Sequence, residues 1–325
     1  MQLEAKVREE IFEAIQSFQT IIIHRHQRPD PDAIGSQLGL KSFIKELYPE
    51  KNVLAAGTMS EGLTWMGQMD SVELADYQNA LAIVLDTANQ PRIDGEWYQE
   101  ASKLIKIDHH LIVDLYGDWQ WVDESASSCA EVLCQMIFDQ FPQLNLTKEV
   151  AELFYAGIVG DTGRFQFSNT RSETFEVVSR LMHYGIDLAA INQRFNELTK
   201  EELDFMAFVM GRIVLHPAGV ASVLLNQSDF TDFGVKEEAS NQITHIPGRI
   251  KGVLSWVIFI QQAGHNGNYR ARIRSKGPSI NEVAMHFDGG GHAMASGAKV
   301  ADSADRQALI QELIQTNRDY LAQSN

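Results

Sequence analysis

The chain has 325 residues, 44% of them hydrophobic and 22% charged, the composition of an ordinary globular protein long enough for two domains. Its formal net charge of -16 excludes a broad basic surface that tracks long nucleic acid, because neutralising a phosphate backbone needs clustered Lys and Arg. No apolar run reaches membrane-spanning length, and Cys129 and Cys134 lie in a helical pattern without metal or redox spacing, so a cytoplasmic protein with two buried thiols is expected.

The first twenty residues read as an amphipathic helix. Short β-rich runs then alternate with helical patterns: TIIIH, a helix over 34–47 with Ile34, Leu38, Phe43, Ile44 and Leu47 on one face, then NVLAAG, ALAIVLD and KLIKID. Such alternation predicts βαβ units and a mainly parallel sheet. Further helices are expected over 125–140, 147–159 and 171–184, the last from a capping box at Thr170 and Glu173. A helical stretch, IDLAAINQRFNELTKEELDFMAFVMG, leads to a different pattern. There RIVLHPAGVASVLLN reads as a hairpin turning at Pro217 to Gly219, and GVLSWVIFIQQ with NYRARIRS as a second turning at AGHNG. A glycine-rich turn, FDGGGHAMASGA, and an amphipathic helix from about Ser303 complete the chain. The expected fold class is α/β: a parallel-sheet domain over 1–190, a helical linker over 191–210, and a smaller α/β domain with a mixed sheet over 211–325.

The chemistry begins in HRHQRPDPDAIGS, residues 24–36. His26, Asp30 and Asp32 leave the carboxyl end of a predicted strand, where ligands gather in open α/β sheets, and the prolines restrict the backbone around both aspartates. Taken alone, a turn whose aspartates cap the next helix explains the pattern equally well. Asp86 ends ALAIVLD, Asp108, His109 and His110 end KLIKID, and Asp161 sits in a Gly-flanked turn of AGIVGDTGRF. Carboxylates crowded on one sheet edge repel unless cations neutralise them. Asp and His without Cys suit Mn²⁺ or a similar borderline ion, and two ions about 3.5–4 Å apart fit phosphoester hydrolysis. His24 points away from this edge and is read as structural, and Ser36 and Ser127 as helix-start residues without a nucleophile's base.

Residues 241–300 carry seven Lys or Arg against Glu282 and Asp288, so an anionic ligand is expected there. Alternation places Arg270, Arg272 and Arg274 on one strand face and Tyr269, Ala271 and Ile273 on the other. Gly289, Gly290 and Gly291 let backbone N–H groups approach a phosphate or base, and His292 can reach toward a metal cleft. A plain glycine turn and a solvated charged face are the ordinary alternatives. Together these features suggest an anion clamp in which Arg272, Arg274 and Ser275 hold a substrate's second phosphate or its base.

HQRPDPD (26–32), LDTAN (85–89), DHH (108–110) and GDTGRF (160–165) resemble, in order, the four motifs of the DHH phosphoesterase superfamily. FDGGGHAMASGA (287–298) resembles the signature of the DHHA1 domain that follows it in many members. The set is most similar to the nanoRNase and pAp phosphatase family, which degrades very short RNA and dephosphorylates 3'-phosphoadenosine 5'-phosphate (pAp). The resemblance implies one metal on His26, Asp30 and Asp86 and a second on Asp32, Asp86, His109 and Asp161, with Mn²⁺ as the ion. It also implies that His110 meets the scissile phosphate while Asp108 orients the neighbouring imidazoles. Expected partners are short RNA oligonucleotides, pAp or dinucleotides, with no membrane and no long duplex; a cleft that closes on such ligands is expected, and a homodimer stays open. Phosphodiesterases for cyclic di-AMP or pApA share the same architecture and remain an alternative. Family II pyrophosphatases fit less well, lacking the DHHA1-like loop. An inactive nucleotide-binding regulator is disfavoured because every expected ligand position holds a competent residue.

Overall fold

The computed structural model describes residues 2–262 and 268–323, and the chain divides into two compact units, Met1–Asn196 and Glu197–Asn325. The turn expected at AGHNG lies outside the described residues.

The first unit runs α1 (Gln2–Ser17), β1 (Thr20–His24), α2 (Pro31–Leu47), β2 (Asn52–Ala55), β3 (Leu81–Leu85), β4 (Lys103–Asp108) and β5 (Trp119–Val122). Four helices follow: α3 (Cys129–Gln140), α4 (Lys148–Asp161), α5 (Ser172–Met182) and α6 (Leu188–Arg194). Every strand pair is parallel, in the order β2-β1-β3-β4-β5. The chain leaves β1 toward one edge and returns beside it as β3, so the direction of winding reverses between these strands, where such sheets open a crevice for ligands. The runs TIII and LAIVL bury both their faces, as strands of a doubly covered parallel sheet do. Ile21, Ile23 and Ile83 pack into the main core with α2 and α4, while Ile22 packs on the opposite face with Tyr77 and Ala80.

Small residues set how closely α2 and α4 approach. A Cβ on Gly35 would lie 2.5 Å from the Leu153 carbonyl oxygen, and one on Gly39 2.7 Å from the Phe154 ring. On Gly157 it would lie 2.8 Å from Ala130 Cβ and 2.9 Å from Asp32 Oδ1. The packing of three helices is therefore fitted around the Asp32 carboxylate.

Several element boundaries differ from the periodicity reading. Helix α2 begins at Pro31, because Asp30 caps it, with Oδ1 accepting the Ala33 N–H at 3.0 Å. Ser36 consequently lies inside α2, and α3 is capped by Ser128 rather than Ser127. In α5 the expected box between Thr170 and Glu173 does not form; Arg171 is the N-cap, and Thr174 Oγ1 accepts its N–H at 3.2 Å while donating to buried Glu131 at 2.7 Å. Asp161 is the last residue of α4 and does not occupy a turn beyond it.

The second unit runs α7 (Lys200–Gly211), β6 (Val214–His216), β7 (Val220–Leu225), α8 (Gln227–Asp232), α9 (Ser240–Ile243), β8 (Ser255–Gln261), β9 (Tyr269–Ser275), α10 (Asn281–Met285), β10 (Gly290–His292), β11 (Ala295–Val300) and α11 (Ser303–Gln323). Its sheet is mixed, in the order β10-β11-β9-β8-β7-β6, with β7 and β8 parallel and the other pairs antiparallel. Val257, Phe259, Ala271 and Ile273 pack with Leu309 and Leu313 of α11, and Val223, Ile258 and Ile260 with Phe205 and Val209 of α7. The glycine-rich turn is itself a hairpin of β10 and β11. Among the described residues, no helix is long and apolar enough to cross a membrane.

Candidate metal centre

The carboxyl ends of β1, β3 and β4 bring the polar residues of the first unit together. Beyond β1, the His26 Nδ1 lies 2.9 Å from the Gln27 carbonyl oxygen, leaving Nε2 3.5 Å from Asp30 Oδ2 and 3.4 Å from Asp86 Oδ2. Asp30 thus serves both readings of the motif, capping α2 with one oxygen and facing His26 with the other. Asp32 is fully buried, and its carboxylate accepts the Cys129 and Ala130 N–H groups at 2.7 and 3.0 Å. These are the free donors of the first turn of α3, which partly offset the charge.

Asp86 follows β3 in the left-handed region, φ +48, a conformation that costs a non-glycine residue about 1–3 kcal/mol and is typically kept where function needs it. Its Oδ1 lies 3.3 Å from His109 Nε2, which also lies 3.2 Å from Asp161 Oδ2 and 3.9 Å from Asp32 Oδ2. Asp108, fully buried at the end of β4, uses a single oxygen, Oδ1, to accept the His109 N–H at 2.8 Å, the His110 N–H at 3.2 Å and the His110 Nδ1 at 2.8 Å.

Three donor groups result, each with its atoms within 4.8 Å of one another: His26, Asp30 and Asp86; Asp32, His109 and Asp161; and Asp86, His109 and His110. Asp86 Oδ1 and His109 Nε2 are sealed from solvent and make no hydrogen bond. Orphaned buried polar atoms are rare, and here they face each other across a cluster of carboxylates. Burial opposes ionisation of Asp86, yet the neighbouring imidazoles of His109 and His26 hold its carboxyl well below the usual range. Burial and the charges of Asp86 and Asp161 push Asp32 well up, and burial pushes Asp161 up to about 6 against the pull of His109. Burial also opposes charging His26, but Asp30 and Asp86 outweigh it and push the imidazole up to about 11; Asp161 and Asp86 raise His109 in the same way. Raised imidazoles beside raised carboxyls mark a cluster short of positive charge. Oxygen and imidazole donors without a thiolate fit a divalent cation in that place.

In the second unit, strand register gathers most of the expected anion site. Arg272 pairs with Gly297 and Gly297 with Gly290; Arg274 pairs with Ala295 and Ala295 with His292. Residues paired across a sheet point to the same side, so both arginines share a face with the glycine hairpin and His292. A Cβ on Gly289 would lie 2.1 Å from the Gly297 oxygen, and Gly291 has φ +137, so the hairpin itself requires both glycines. A Cβ on Gly290 would meet nothing, so the hairpin's own packing does not account for that glycine. Ser275 is not brought to this face. Strand alternation turns it to the buried side with Ile273, and its Oγ donates to Leu254 O at 3.3 Å.

Two buried cations beside the centre, Arg25 and Lys106, escaped the sequence reading. Arg25 is fully buried, pairs with Asp94, and donates to His26 O at 3.0 Å and Thr58 O at 2.5 Å, fixing the backbone beside His26. Lys106, inside β4, lies 3.5 Å from Asp108 Oδ2. The available signal was a basic residue within or directly behind an apolar strand run, as in TIIIHR and KLIKID.

Residues 20–158 match the DHH family, N-terminal domain, and residues 218–319 match the DHHA1 domain. Over 303 residues the chain is 43% identical to the probable bifunctional oligoribonuclease and PAP phosphatase NrnA of Streptococcus mutans, covering 93% of this chain and 96% of that protein. The chain belongs to this DHH–DHHA1 family. Within the DHH–DHHA1 family it is also 42% identical to the bifunctional oligoribonuclease and PAP phosphatase NrnA of Bacillus subtilis, over 91% of this chain and 95% of that one. The crystal structure of an exopolyphosphatase-related protein from Bacteroides fragilis superimposes with a TM-score of 0.85 at 25% identity, covering 97% of this chain and 96% of that chain. The DHH match contains every candidate ligand from His26 to His109, with Asp161 just beyond it.

Proposed function

We propose that this DHH–DHHA1 protein is a cytoplasmic, manganese-dependent hydrolase that cleaves short RNA oligonucleotides to mononucleotides and removes the 3'-phosphate of pAp to give AMP. The observation that carries the reading is the set of three donor groups linked through Asp86 and His109 at the β1–β3 switch point. It is supported by relatives at 43% and 42% identity whose names state both activities. His26, Asp30 and Asp86 would hold one ion, and Asp32, Asp86, His109 and Asp161 a second. When bound, a divalent pair lowers the pKa of water to near neutrality and neutralises charge on the phosphoryl oxygens.

The protein's own residues do the rest. Asp108 holds His110 through Nδ1, so the opposite ring nitrogen is presented to a phosphoryl oxygen and stabilises its developing charge. Asp86 and Asp32 are both buried, so bulk water does not compete for their carboxylates. Arg272 and Arg274, with the open backbone at Gly290 and with His292, bind the phosphate or base that is not being hydrolysed. A chain of net charge -16 with one basic stretch suits a ligand of few phosphates better than a long strand.

A substrate panel in Mn²⁺ tests the assignment. The kcat/KM for pAp and for the shortest RNA oligomers should exceed that for long RNA and for pyrophosphate by about tenfold or more. Preferred turnover of cyclic di-AMP or pApA would replace the assignment with the phosphodiesterase reading.

A further inference from the structure

We propose that Lys106 is a positioning residue, whose buried ammonium ties the three segments around the metal centre to one point. The inference rests on the hydrolase reading for its kinetic consequence but not for its structural one. Lys106 lies in mid-strand between Val84 of β3 and Gln120 of β5, and is 1% exposed. An ammonium has three donors and no acceptor. Two of them reach the Ala88 carbonyl at 3.0 Å and the Asp114 carbonyl at 3.2 Å; the head also lies 3.5 Å from Asp108 Oδ2.

Each of these contacts belongs to a segment that carries a site residue. Ala88 is two residues beyond strained Asp86, Asp108 grips His109 and His110, and Asp114 lies in the loop leaving His110. The same ammonium stands 4.6 Å from the centre of the Tyr116 ring, and the Tyr116 hydroxyl donates to the Thr87 carbonyl at 2.7 Å. The chain just after Asp86 is therefore held at two successive carbonyls.

Filling space does not account for this residue, since a buried charge is costly and methionine would occupy similar volume without that cost. What an ammonium supplies is a counter-charge on Asp108. Lys106 and Asp108 stand two apart in β4 and project to one face. Asp108 Oδ2 makes no hydrogen bond, whereas Oδ1 serves both histidines. The Lys106 charge thus holds the carboxylate in the orientation in which its other oxygen fixes His110.

The test compares Lys106→Met with Asp108→Asn and the double variant. Removing a group that orients metal-site residues commonly costs about 10–100-fold. Lys106→Met should accordingly lower kcat about tenfold or more while leaving KM within about twofold, and should add less than about twofold in the Asp108→Asn background. Nitrogen NMR of the metal-free protein should show the Nδ1-protonated, hydrogen-bonded form of His110 lost in Lys106→Met. An unchanged His110 signal, or full additivity with Asp108→Asn, would overturn the proposal. If Lys106→Met does not fold, Lys106→Gln takes its place: its amide can still donate to a backbone carbonyl but carries no charge, so the same NMR change and the same non-additivity are expected and decide in the same way. The NMR arm is independent of substrate, so a wrong activity assignment and a wrong role for Lys106 give different results.

Discussion

Asp30 shows why single residues in this sequence support two readings. A carboxylate has two oxygens, and here one caps a helix while the other faces an imidazole, so the cap of the ordinary turn explanation forms and still leaves an oxygen for the proposed ligand role. His24, two residues before His26, has the opposite fate. It is fully buried, with Nδ1 2.9 Å from Asp94 O and Nε2 3.0 Å from the Tyr77 hydroxyl, and burial lowers its pKa to about 4. A histidine held below its unfolded value of about 6.5 stabilises the fold fully above that pH and progressively less as pH falls toward 4. The loss should reach about 3 kcal/mol at most. Denaturant titrations between pH 7 and 4 in chelator should show a shallower decline for His24→Gln than for the natural protein; parallel declines would contradict the burial argument. The histidines and aspartates at strand ends were legible because their chemistry is out of place at the end of an apolar run. Lys106 and Arg25 were not, because a buried cation is recognised by its partners, and Ala88, Asp114 and Thr58 are carbonyls that any residue could provide.

At the scale of elements, alternation of strand and helix was enough to indicate the parallel sheet, and the two hairpin patterns the strands of the second one. What it could not show was the depth of contact between α2 and α4, which depends on Gly35, Gly39 and Gly157 meeting specific atoms of the opposite helix. It also could not show that α4 runs on to Asp161, whose carboxylate therefore reaches the centre from a helix end and not from a strand. Ser275 illustrates a register effect: adjacency to Arg274 in sequence places it on the other face of β9. Gly157→Ala tests the coupling of packing to the site. Its methyl would press on Ala130 and on Asp32 Oδ1, so a loss of about 1–3 kcal/mol is expected together with weaker Mn²⁺ binding. Calorimetric titration beside a denaturation curve checks both, and weaker stability with unchanged metal affinity would separate the helix contact from the centre.

For the whole molecule, charge is divided by task. Acidic residues dominate the chain, the carboxylates at the β1–β3 switch point form its candidate catalytic centre, and the basic stretch carries Arg272 and Arg274 in a unit with its own cores. The family was legible from five short motifs because each supplies chemistry at a fixed place in the fold; substrate preference within the family was not, since related substrates present the same phosphates. The proposed hydrolase centre depends above all on Asp86 serving as a ligand to both proposed ions. Elemental analysis and anomalous diffraction of the Mn²⁺-loaded protein test this directly. Two Mn²⁺ per chain are predicted, about 3.5–4 Å apart with Asp86 between them, and Asp86→Ala should lose both bound metal and phosphoester hydrolysis. A single ion, or hydrolysis that survives Asp86→Ala, would contradict the account.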